Sequence, residues 1–156
     1  MDRRFALLVE DNRRQAELWK AQLELDIPEL TAEITVTADQ AVASFGEKVY
    51  DVVVLDVMMY PRKTWNESDV AYGFLSGVAL HQDFSHICKK QGRALPPVII
   101  VSAIQGARTG LFNGAMSYFS RLGCKWIDKP VDPDELVEAV REVLGLPEEG
   151  SRDAHG

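Results

Sequence analysis

Apolar and polar positions alternate along this chain in two rhythms. Short apolar runs rich in β-branched residues recur at Phe5 to Val9, Glu33 to Val36, Val52 to Leu55, Val98 to Val101 and Lys125 to Ile127, predicting five strands. The first, third and fourth runs are apolar at nearly every position, as expected of parallel strands covered on both faces. Between the runs, apolar residues return at helical spacing: Ala16, Trp19, Leu23 and Ile27; Leu80, Phe84 and Ile87; Leu136, Val140 and Val143. Strand and helix in strict alternation predict a doubly wound α/β domain. The last helix is the most sharply punctuated, with Asp132 as N-cap, Pro133 at its first position, Glu135 at N3, and Gly145 and Pro147 beyond its end. It is predicted over Pro133 to Leu144.

Two stretches break this rhythm. Twenty residues separate Asp56 from Gly77, where a strand-to-helix connection needs only a handful, and loops of that length in compact domains often carry function. The stretch from Gln105 to Gly123 has the length of a helix but contains Gly106, Gly110 and Gly114. Each glycine costs a helix interior about 1 kcal/mol relative to alanine. Past Gly145 the composition turns to Pro, Glu, Gly, Ser, Arg and Asp, so the expected organisation is one domain over residues 1–146 and a disordered polar tail over 147–156.

Composition narrows the classes. A chain of 156 residues, 46% apolar, can bury a core without disulfides or structural metals. Its net charge of −7 argues against direct nucleic-acid binding, which relies on Lys and Arg neutralising phosphates. Cys88 and Cys124 lie in apolar or helical surroundings with no C-x-x-C spacing, and are read as reduced thiols. Asp2-Arg3-Arg4 leads straight into the first strand, no run approaches the ~20 apolar residues of a membrane span, and a cytoplasmic location is expected.

Candidate chemistry sits at the strand ends. In an open parallel sheet, ligands bind beyond the carboxyl ends of the strands where strand order reverses. The predicted strands end at Glu10-Asp11, at Asp56, at Ser102 and at Asp128-Lys129-Pro130. Three carboxylates on one edge repel one another unless a cation sits among them, and Mg²⁺ (or Mn²⁺) takes oxygen ligands while retaining waters. A carboxylate is also a nucleophile toward phosphorus. The transferred oxygens then need an ammonium and a hydroxyl, which Lys129 and Ser102 carry.

These residues resemble the receiver domains of bacterial two-component response regulators. Leu7-Leu8-Val9-Glu10-Asp11-Asn12, Val53-Val54-Leu55-Asp56-Val57-Met58-Met59, Val101-Ser102-Ala103 and Trp126-Ile127-Asp128-Lys129-Pro130 are similar to that family's four signatures, in the same order, across residues 4 to 145. The resemblance implies a flavodoxin-like sheet of order 2-1-3-4-5 with helices on both faces. It implies that Asp56 accepts the phosphoryl group, that Glu10, Asp11, Asp56 and the Met58 carbonyl hold Mg²⁺, and that Ser102 and Lys129 hold the phosphoryl oxygens. Trp126 stands where the family has an aromatic that moves with the hydroxyl residue, which makes Trp126 and Ser102 the switch candidates. The peptide before Pro130 is often cis in the family. Implied partners are a sensor histidine kinase or phosphotransfer protein and a downstream protein target, with a phosphorylation-dependent dimer also within the family's range. The chain would be a signalling switch, not an enzyme acting on an external substrate.

Competing readings are a receiver-shaped docking module that is never phosphorylated, and a phosphatase that needs a second Asp where this chain has Met58. An aspartate can also merely cap the loop after a strand, and Asp11 or Asn12 can cap the helix that follows. His81, His86 and His155 are too scattered for a metal site; His81 and His86 are expected to face solvent or pack on a helix. The chain departs from the family after Asp56. Pro61 comes late, Gly73 or Gly77 later still, and the segment from Arg62 to about Gly73, with Trp65 and Tyr72, is inserted; Phe74 follows it. This extended loop over 61–76 is expected either to be a surface excursion, or to lean over Asp56 or offer its aromatics to a partner.

Overall fold

The structure, a computed structural model, describes residues 2–57, 62, 76–102 and 110–148, with backbone alone for 110–113. Among the described residues ten elements alternate: β1 (Arg4–Val9), α1 (Arg13–Asp26), β2 (Leu30–Thr35), α2 (Ala38–Glu47), β3 (Val52–Asp56), α3 (Ser76–Gln91), β4 (Val98–Ser102), α4 (Gly110–Arg121), β5 (Lys125–Asp128) and α5 (Pro133–Leu144). The strands form one parallel sheet of order β2-β1-β3-β4-β5, the flavodoxin-like arrangement expected from the sequence. No helix among the described residues is long and apolar enough to cross a membrane.

Side chains alternate across each strand, so the sheet has two apolar faces and a core on each. Ala6, Leu8, Val52, Val54, Ile99, Val101 and Ile127 pack against Trp19 and Leu23 of α1 and Leu136 and Val140 of α5. Leu7, Val9, Val53, Leu55, Val98 and Ile100 pack against Phe45 of α2, Phe84 of α3 and Phe119 of α4. Phe45 and Phe84 stack with ring centroids 4.1 Å apart, which knits α2 to α3.

Local signals set the helix ends. Asn12 caps α1 by accepting from the Gln15 N–H, Thr37 caps α2 by accepting from the Gln40 N–H, and Asp132 caps α5 by accepting from the Asp134 N–H. Gly145 ends α5 in the left-handed region at φ 67°, a conformation that favours glycine. At the start of α3, a Cβ on Gly77 would lie 2.8 Å from the Val57 Cα, and the Gly77 N–H donates to the Val57 carbonyl at 2.9 Å. Only glycine lets α3 begin this close to the end of β3.

Four strands match the expected runs to within one residue, and larger differences lie elsewhere. The second strand begins at Leu30 and ends at Thr35, because pairing with Arg4–Val9 extends it upstream of the apolar run seen in the sequence. The helix Ala38–Glu47 is not among the helical spacings picked out above, although Thr37 followed by Gln40 is a cap signature. The described part of the glycine-bearing helix runs from Gly110 to Arg121 within the expected 105–123. Met58, the inserted segment other than Arg62, Gly106 and the tail from residue 149 onward lie outside the described residues.

Candidate functional site at the carboxyl edge of the sheet

β1, β3, β4 and β5 deliver their last residues to one edge because they are parallel neighbours in register. Val9 pairs with Leu55, Asp56 with Val101, and Ser102 with Asp128. The ladder continues beyond the strands: the Glu10 N–H donates to the Thr35 carbonyl, the Val57 N–H to Val101, and the Lys129 N–H to Ser102 at 2.7 Å. Glu10, Asp56, Ser102 and Lys129 are thereby held by the sheet rather than by free loops. The Lys129–Pro130 peptide is cis, as the resemblance implied.

Burial is uneven among these groups. Glu10 is 1% exposed, Asp56 3% and Ser102 0%, whereas Asp11 is exposed. Carboxylate oxygens of Glu10, Asp11 and Asp56 lie within 4.8 Å of one another. The Lys129 ammonium reaches into this acidic cluster, donating to Glu10 Oε2 at 2.9 Å, Glu10 Oε1 at 3.1 Å and Asp56 Oδ2 at 3.1 Å. The Asn12 backbone N–H donates to Glu10 Oε1 at 3.3 Å, so Asn12 both caps α1 and touches the site.

The electrostatics follow from this geometry. Burial and then repulsion from Asp56 push the Glu10 carboxyl up to about 8, with Lys129 only partly offsetting them. Burial works against the Lys129 charge, but Asp56 and Glu10 outweigh it and hold its pKa above the ordinary lysine value. One ammonium therefore leaves the paired carboxylates short of positive charge. The all-oxygen donor set of Glu10, Asp11 and Asp56 fits a hard divalent cation, which would supply it.

Glu10, Asp11, Asp56, Ser102 and Lys129, picked out in the sequence, all lie at this one edge. Trp126 is half-buried against the α2–α3–α4 core, its ring 6.4 Å from Phe119, and its indole N–H donates to Asp128 Oδ1 at 3.2 Å. One neighbour was missed. Trp19 of α1 lies with its ring 5.7 Å from the Lys129 ammonium. Helical spacing marks Trp19 as buried, but nothing in spacing says which strand end it meets. Nor does the sequence mark Arg62 beyond its place at the start of the insertion; it joins Asp39 of α2, at 2.8 Å, to Asp83 of α3, at 3.0 Å.

No protein-family model matches the sequence. No curated protein matches it either. Solved structures do. The receiver domain of the Francisella response regulator 1452 is 22% identical, with 91% of this chain and 97% of that one covered and a TM-score of 0.64. A CheY-like response regulator receiver domain protein from Methanospirillum hungatei JF-1 is 18% identical over 99% of this chain and 100% of that one, with a TM-score of 0.66. The fold is that of response-regulator receiver domains. A two-component response regulator from Clostridium difficile, at 14% identity, covers 92% of this chain and 97% of its own with a TM-score of 0.67. At these identities the likeness to receiver domains speaks for the fold, and the site residues must speak for the chemistry.

Proposed function

We propose that this chain is a phosphorylation-dependent signalling switch that accepts a phosphoryl group on Asp56. The observation that carries the reading is the Lys129 ammonium bridging two buried carboxylates, Glu10 and Asp56, at the carboxyl edge of a receiver-type sheet. Burying acidic groups together is costly, and a fold keeps such a cluster where charge is to be handled.

In the proposed step, a carboxylate oxygen of Asp56 attacks phosphorus of a phosphohistidine on a kinase or phosphotransfer partner. A P–O bond forms, the P–N bond breaks, and the imidazole nitrogen leaves with the electron pair. Lys129 and the Ser102 hydroxyl are the groups to hold the transferred oxygens. A divalent cation, Mg²⁺ or Mn²⁺, held by Glu10, Asp11, Asp56 and the Met58 carbonyl would neutralise charge on the carboxylates and the incoming phosphoryl group. Trp126 and Ser102 are the proposed switch residues, passing the change to a protein-binding face read by a downstream target. The role is cytoplasmic signalling, with no turnover of an external substrate.

Acetyl phosphate with MgCl₂ tests this directly. Intact mass should show a ~80 Da adduct on the parent and none on Asp56→Asn. A parent that gains no adduct would favour the alternative, a docking module that is never phosphorylated.

A further inference from the structure

Trp19 is among the largest fully buried side chains, and it carries a polar group into the core. It is 1% exposed in the α1–α5 core, and its indole N–H meets no acceptor among the described residues. Burying a donor without a partner is unfavourable, a cost that a purely apolar side chain would not carry. What the indole adds is a large π face, and the Lys129 ammonium lies over it, 5.7 Å from the ring centroid. Tryptophan is the aromatic that attracts a cation most strongly.

We infer that Trp19 is a positioning residue for Lys129, holding the ammonium over Asp56 by a cation–π contact. The inference rests on the phosphoacceptor reading and extends it to a residue outside the receiver signatures. Lys129 donates to Glu10 and Asp56, the same carboxylates that a divalent cation would draw upon. Those contacts must loosen whenever the carboxylates turn to another positive charge. The π face of Trp19 carries no formal charge and does not change with the state of Glu10 or Asp56. It keeps Lys129 in place while its anionic partners are in use, so that the ammonium is already there when phosphoryl oxygens arrive.

The test combines a spectroscopic signature with a rate. In isotopically labelled parent protein, the Lys129 ε-methylene protons should be shifted upfield by the indole ring current, with and without MgCl₂. Trp19→Leu should abolish that shift and slow phosphoryl gain from acetyl phosphate about fivefold. Trp19→Phe, which restores an aromatic face, should recover part of the shift and most of the rate lost in Trp19→Leu. Unshifted Lys129 protons in the parent overturn the inference, as does Trp19→Leu reacting as fast as the parent or Trp19→Phe reacting as slowly as Trp19→Leu. Should the parent gain no phosphoryl group at all, the phosphoacceptor reading fails, and the ring-current shift alone still decides whether Trp19 holds Lys129. Should Trp19→Leu fail to fold, the parent spectrum and the Trp19→Phe rate, expected close to that of the parent, decide in its place.

Discussion

Two of the places where this molecule buries ionisable side chains do so in opposite ways. At the carboxyl edge of the sheet, Glu10, Asp56 and Lys129 are brought together with two carboxyl groups to one ammonium. Between α3 and α4, His81 is 3% exposed, with Nδ1 3.0 Å from the Tyr118 hydroxyl and its ring edge-on to Tyr118 and Phe119. Burial holds the His81 pKa below its ordinary value, so the neutral ring is favoured there. The helix interface accommodates a polar group by keeping it neutral and giving it a partner. The strand edge crowds two carboxyl groups around one ammonium, and the Glu10 carboxyl is pushed up as a result. That difference separates burial that serves packing from burial that carries an electrostatic cost.

The contrast can be broken most forcefully at Phe119, which is fully buried and touches Tyr118, His81 and Trp126. Phe119→Ala should cost about 3–5 kcal/mol in urea unfolding, and a loss below about 1 kcal/mol would deny that the α3–α4 interface is a packed unit. At the strand edge the sign should reverse. Asp56→Asn removes one of two repelling carboxylates, so the metal-free protein should gain about 1 kcal/mol and melt higher, while added MgCl₂ should stabilise it less than the parent. A lower melting temperature for Asp56→Asn would mean that the cluster is satisfied as it stands. The smallest effect is the pH dependence of the interface. Because the folded His81 pKa lies below its unfolded value near 6.5, the unfolded chain binds more protons between the two, and stability is lost as pH falls from 6.5 toward the folded value. His81→Gln stays neutral and can still meet the Tyr118 hydroxyl, so the parent's stability relative to this variant should decline across that window. Parallel stability curves for the two proteins would refute the assignment.

What the sequence determined by itself was whatever depends on near neighbours. The caps Asp132 and Gly145 bound α5 to Pro133–Leu144, because a cap acts within one turn. Continuous apolar runs identified interior strands, and the polar groups following them were bound to gather at one edge, since parallel strands must all end on the same side. Only the tertiary structure decided the rest. Leu30 to Ala32 became strand through hydrogen bonding to β1, which their own spacing did not announce. His81 shared one helical stripe with Leu80 and Phe84, but whether it met solvent or Tyr118 depended on where α4 was laid. Trp19 was plainly a core residue, yet its closeness to Lys129 arises from two segments 110 positions apart in the chain meeting above the sheet. Periodicity tells which face of an element is buried; it holds no information about the partner across the gap, because that is set by packing of the whole chain.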